Sequence, residues 1–264
     1  MKLDLYQVDA FASKIFEGNP AAVCPLHSWL PDELMQQIAM ENNLSETAFF
    51  VRKGDRYELR WFTPEVEVDM CGHATLASAY VLFNQLGYQK DAIFFDAKCG
   101  ELTVKRDDDG LVMDFPASPA DETSFPNGIE EMLGATPLEC YQGMDYLFVF
   151  ENEQQVKQLS PEFLKLKKLD TRGIIATAPS DEEEIDFVSR FFAPAVGINE
   201  DPVTGSAHTM LTPYWAERLG KNTLAARQIS KRGGLVKCKL NGDRVELGGS
   251  AQTFMTGTIE LPEQ

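Results

Sequence analysis

The 264-residue chain is long enough to bury a real core, either as one large domain or as two of ordinary size. Its composition, 44% hydrophobic and 25% charged, is that of a globular protein, and a net charge of −17 argues against nucleic acid and anionic membrane as partners. No stretch approaches the ~18–20 apolar residues of a membrane span, and the start MKLDLYQVDAFA carries no signal-peptide pattern, so a soluble cytoplasmic protein is expected.

Five cysteines (24, 71, 99, 140, 238) are odd in number and form no CxxC pair, which argues against a disulfide framework and a structural zinc site. The three histidines (27, 73, 208) share no short metal spacing, so no metal is expected.

In chain order, Leu3–Phe11 alternates as a strand, Glu17-Gly18-Asn19-Pro20 is turn chemistry, and Ala21–Cys24 resumes as a short apolar strand. Pro31-Asp32 opens a helix through Leu34, Met35, Ile38 and Ala39. Leu44–Val51 and Tyr57–Phe62 read as strands, with Glu46 in a run otherwise bound for the core. Ala74–Leu86 is a helix apolar nearly all round, hence buried, with Gly87 as its stop. Strands follow at 92–95, 101–106 and 111–115, the last two joined by the turn Asp107-Asp108-Asp109-Gly110.

Ser118–Asn127 is the clearest break in composition and divides the chain into halves, 1–118 and 119–264. Beyond it come a short helix at 128–133, a strand at 146–150, a helical segment from Ser160 to about Lys168, and strands at 173–178 and 186–192. A second central helix spans Thr209–Leu219, and a strand-and-turn region with an Asn241-Gly242 hairpin ends the chain.

The second half repeats the first. Arg60-Trp61-Phe62-Thr63-Pro64 matches Arg190-Phe191-Phe192-Ala193-Pro194, and after a three-residue insertion Cys71-Gly72-His73-Ala74 matches Thr204-Gly205-Ser206-Ala207. The register then holds to Leu86-Gly87 against Leu219-Gly220. Each glycine stands at the start of a buried helix, where the first N–H groups lack internal partners, the dipole is positive and a ligand can approach the backbone. Two such starts are suited to a small anion such as a carboxylate, and the site is expected where the halves meet; ordinary N-capping is the alternative.

The copies differ at Glu46, which has no acidic counterpart, at His73, matched by Ser206, and at Asp201, read as part of the stretch found only in the second copy. An acid/base beside anion-holding helix starts suits proton abstraction next to a carboxylate. His208, in the first turn of its helix, is read as structural.

Four motifs, DAFASKIFEGNPAAV (Asp9–Val23), ENNLSETAFF (Glu41–Phe50), RWFTP with DMCGHATLA (Arg60–Ala77) and EDPVTGSAH (Glu200–His208), resemble those of the PhzF-like phenazine-biosynthesis isomerases, over essentially the whole chain. The resemblance implies an α+β, diaminopimelate-epimerase-like fold of two pseudo-symmetric domains, each a curled sheet around a central helix. Epimerases of that fold use a cysteine at each helix start; here the pair is Cys71 and Thr204, so a two-thiol mechanism is not available.

The resemblance places the acid/base at Glu46, with His73 and Asp201 completing the catalytic set. Ser206, with the N–H groups of Gly72, His73, Gly205 and Ser206, would hold a substrate carboxylate, and Asn19 is a further contact. It implies a cofactor-independent isomerase acting on a small carboxylate, without nucleic acid or membrane partners, as a homodimer. The alternatives are a racemase or epimerase using Cys71 and a binding protein that has lost turnover.

Overall fold

A computed structural model of the chain describes residues 1–108 and 110–261. The chain divides into two units, Met1–Asp114 with Gly248–Gln264, and Phe115–Leu247. The expected halves, 1–118 and 119–264, are corrected by this in one main respect: the last strand belongs with the first unit. Residues Ala251–Glu260 pair antiparallel with Lys2–Ala10, from Lys2 opposite Glu260 to Ala10 opposite Ala251. No local pattern announces a pairing between chain ends.

The first unit runs β1 (Lys2–Ala10), β2 (Asn19–Leu26), α1 (Asp32–Asn42), β3 (Glu46–Lys53), β4 (Arg56–Phe62), β5 (Glu67–Val68), α2 (Gly72–Asn84), β6 (Ala92–Ala97), β7 (Gly100–Asp107) and β8 (Gly110–Pro116). Asp109, within the expected turn before β8, lies outside the described residues. The second unit holds β9 (Asp121–Glu122), α3 (Ile129–Leu133), β10 (Glu139–Gln142), β11 (Tyr146–Val149), α4 (Glu153–Gln158), α5 (Phe163–Leu166), β12 (Ile174–Pro179), β13 (Phe187–Ala193), β14 (Ile198–Asp201), α6 (Gly205–Leu219), β15 (Thr223–Gln228), β16 (Gly234–Asn241) and β17 (Arg244–Gly249); β18 (Ala251–Glu260) returns to the first. The helical segment expected from Ser160 to Lys168 shrinks to one turn, α5. Strand β10 was not expected, because four residues are too few to show an alternation.

The pairing of strands repeats like the sequence. In the first unit β2 is parallel to β3, β3 antiparallel to β4, β4 parallel to β6 and β6 antiparallel to β7. In the second, β11, β12, β13, β15 and β16 are joined in the same order and the same senses. The likeness reaches single side chains. Arg60 Nε meets Glu67 at 2.7 Å, tying β4 to β5, and Arg190 Nε meets Glu200 at 2.7 Å, tying β13 to β14. Each guanidinium also lies over an aromatic ring two residues on, Phe62 at 5.1 Å and Phe192 at 4.8 Å.

Each unit packs its strands on one buried helix. Helix α2 is buried on nearly every side because its residues are small or apolar all round. Helix α6 carries Pro213 in its interior, where the ring removes one helical hydrogen bond. The carbonyl thereby released, that of Thr209, accepts instead from the Ser118 N–H at 3.1 Å. Trp215 stacks on Phe187 with centroids 5.4 Å apart and donates its indole N–H to Thr177 Oγ1.

Candidate active site

In the first unit the fold gathers Asn19, Glu46, Cys71, Gly72 and His73. Asn19 begins β2, Glu46 begins β3, and Cys71 is the N-cap of α2 in extended conformation. All are buried. His73 occupies the middle: Nδ1 lies 3.2 Å from the Asn19 amide and 3.5 Å from Cys71 Sγ, and Nε2 lies 3.1 Å from Glu46 Oε2. Either atom of the Asn19 amide can serve Nδ1, the carbonyl accepting when that nitrogen is protonated.

Burial works against a charged imidazole, but the neighbouring Cys71 sulfur and Glu46 carboxylate outweigh it and hold the His73 pKa well above its ordinary value. Burial, and then the Glu46 charge, push the Cys71 thiol up to about 11. Glu46 Oε2 and His73 Nε2 are at ion-pair distance yet off the line of a hydrogen bond, and neither has a hydrogen-bond partner among the described residues. Glu46, Cys71 and His73 also offer ligand atoms within 4.8 Å of one another, an O, S, N set that zinc accepts. A search for paired histidines misses such a set, since it holds only one.

In the second unit Asp201, Thr204, Gly205 and Ser206 stand at the start of α6. Thr204 is the N-cap, but its hydroxyl does not cap the helix. It donates to Asp201 Oδ2 at 2.5 Å. Cys71 likewise gives α2 no side-chain cap, so ordinary N-capping does not account for either helix start. Gln228, fully buried, accepts from the Thr204 N–H at 2.9 Å and donates to the Asp201 carbonyl at 2.7 Å, which fixes the turn that carries Asp201.

One reading of the sequence is corrected here. Asp201 does not lie in inserted chain: it pairs with Phe191 as Val68 pairs with Trp61, and the extra residues fall in the 3₁₀ turn Pro194–Val196 and Gly197.

His208 ties the first turn of α6 to its N-cap residue. Its Nδ1 donates to the Thr204 carbonyl at 2.8 Å, the task that Thr75 Oγ1 performs on the Cys71 carbonyl at 2.6 Å. Burial lowers its pKa to about 4, so the ring is neutral.

Three contributors escaped the reading of the sequence: Gln228, Asp145 and Arg172. Arg172 Nη2 donates to Ser206 Oγ at 3.0 Å and sits on Asp145 through two further bonds. The available signal was Arg172-Gly173, a charge and a glycine immediately before a fully apolar strand.

Residues 8–257 match the family described as "Phenazine biosynthesis-like protein". An uncharacterised isomerase of Pseudomonas aeruginosa is 52% identical over 261 residues, 99% of this chain and 100% of the relative. The crystal structure of a phenazine biosynthesis protein of the PhzF family from Enterococcus faecalis superposes with a TM-score of 0.96 at 47% identity, covering 99% of this chain and all of that one. A hydroxyproline epimerase from Agrobacterium vitis shares the fold alone, with a TM-score of 0.63 at 10% identity over 98% of this chain and 92% of its own. Among the described residues no helix is long and apolar enough to cross a membrane. The chain therefore belongs to the PhzC-PhzF family of isomerase- and epimerase-like proteins, with the α+β diaminopimelate-epimerase-like fold.

Proposed function

We propose that this chain is a cofactor-independent isomerase that moves a proton on a small carboxylate-bearing substrate, amino acid-like or cyclic, with Glu46 as the general acid/base. The observation that carries the reading is the buried Glu46 carboxylate 3.1 Å from His73 Nε2, with one oxygen free of hydrogen bonds among the described residues. Glu46 takes a proton from one carbon of the substrate while the C–H electron pair shifts into the conjugated system. It then returns the proton to another carbon, so the enzyme ends as it began. His73 and Asp201 orient the substrate's polar groups, with Asn19 as a further contact. Ser206 and the N–H groups of Gly72, His73, Gly205 and Ser206 hold the carboxylate.

The test is solvent deuterium incorporation into a panel of small amino and unsaturated cyclic acids, read by mass spectrometry with and without a chelator. Exchange that survives chelation and falls about 10²- to 10⁴-fold in Glu46→Gln is expected. Exchange untouched by Glu46→Gln, or abolished by the chelator, removes the reading.

A second reading, a racemase using Cys71, draws on the 3.5 Å approach of its sulfur to His73. The high thiol pKa opposes it, since little thiolate is present at neutral pH. Cys71→Ser is expected to lower the rate by less than about tenfold; a loss as large as that of Glu46→Gln would transfer the base to sulfur.

A further inference from the structure

The second unit holds a buried charge whose purpose the reaction as proposed does not explain. Asp145 is fully buried, with 0% of its side chain exposed, at the entry to β11. Strands β11 and β12 run parallel with Tyr146 opposite Ile174, so the residues preceding them, Asp145 and Arg172-Gly173, arrive at the same end of the sheet. There Asp145 receives Arg172 Nε at 3.0 Å and Nη2 at 2.5 Å, and the guanidinium lies 5.6 Å from the centre of the Phe191 ring. Gly173 makes room for this: a Cβ there would come within 2.2 Å of the Phe191 ring and 3.0 Å of Asp145 Oδ1.

The guanidinium so fixed points at the start of α6, donating to Ser206 Oγ at 3.0 Å. Its Nη1 has no hydrogen-bond partner among the described residues, and the side chain is 37% exposed. Asp145 balances the charge of this guanidinium but occupies only its Nε and Nη2, which leaves the Nη1 edge for a further acceptor. Helix N-termini favour acidic groups, and the first turn of α6 has none. A planar, permanently charged fork with a free Nη1 beside the Ser206 hydroxyl and an uncapped helix start is suited to a second carboxylate.

We propose that Arg172, held by Asp145 and Phe191, is the residue that anchors the substrate carboxylate beside Ser206. The inference rests on the proposed function and names its anion-holding group. Arg172 supplies the charge; Asp145 is a positioning residue.

The test titrates the full-length protein with benzoate and cyclohex-1-ene-1-carboxylate, each beside its carboxamide. It reads the Arg172 Nε–H resonance by NMR and the affinity by calorimetry. Removing Arg172 alone strands a buried carboxylate, so the double variant Asp145→Asn/Arg172→Met, neutral at both positions, accompanies Arg172→Met and Arg172→Lys.

The carboxylates are expected to move the Arg172 resonance and the carboxamides not. Affinity for the carboxylates should fall about 10- to 100-fold in the double variant, the worth of a charge-assisted contact, and recover in part in Arg172→Lys. Asp145→Asn should raise KM more than it lowers kcat. A resonance that no carboxylate moves, or a folded double variant that binds them like the wild type, overturns the proposal. Glu46-dependent exchange with no dependence on Arg172 would sink this inference and leave the isomerase standing; Arg172-dependent binding without exchange would do the reverse.

Discussion

The two units place opposite charges at neighbouring positions of the same fold. Thr47 lies opposite Phe62 and Ile174 opposite Phe192, and Phe62 and Phe192 are equivalent in the repeat, so Glu46 stands where Gly173 stands. In the first unit that position sends a carboxylate to His73. In the second it is vacated for the Phe191 ring, and the preceding residue sends a guanidinium to Ser206, the counterpart of His73. A duplicated scaffold thus keeps its strand register and its helix starts, while the charge beside each helix start is free to differ.

The sharpest way to break this comparison is to neutralise the first copy. Glu46→Gln should lower exchange to the extent given above, and it should also lower the His73 pKa, measured by NMR titration, because burial lowers that pKa and the Glu46 charge, with the Cys71 sulfur, raises it. An unchanged His73 titration would show that the pair is not coupled.

The two histidines should act on stability in opposite directions. His208 has a folded pKa of about 4 against an ordinary 6.5, so its contribution is present above pH 6.5 and is lost as pH falls from there towards 4. The loss should be on the order of 3 kcal/mol, read by urea unfolding and removed in His208→Gln. His73, with its folded pKa raised, contributes fully below pH 6.5 and loses that contribution as pH rises through the folded value. A stability profile flat from pH 4 to 6.5 would contradict the neutral, buried His208.

The smallest expected difference separates the duplicated ion pairs. Arg190 is 12% exposed and also donates to the carbonyls of Val156 and Leu159, whereas Arg60 is 24% exposed and adds an exposed contact to Asp32. Arg190→Gln should cost about 3 kcal/mol and Arg60→Gln about 1 kcal/mol in urea unfolding, because the more buried pair leaves more unpaired charge behind. Equal costs would mean that burial does not distinguish the copies.

Much of this was legible in the sequence, for identifiable reasons. The internal repeat exposed the duplicated unit; the apolar run at 74–86 marked one buried helix and the repeat register carried it to 209–219; a charge at the head of an apolar strand marked Glu46. Cys71, Gly72 and His73 are neighbours in the chain, as are Asp201 to Ser206, so their grouping needed no tertiary knowledge.

What only the tertiary structure decided is what strand pairing brings together from far apart. The return of β18 to β1 joins the two ends of the chain, and Gln228 locks Asp201 from beyond α6. The parallel pairing of β11 with β12 brings Asp145 beside Arg172, 27 residues away, and the length of a guanidinium carries that charge to Ser206, 34 residues further on. Local sequence fixes periodicity and helix starts because those depend on neighbours within a few residues. Which buried carboxylate meets which cation depends on register between strands, and that is settled only when the sheet forms.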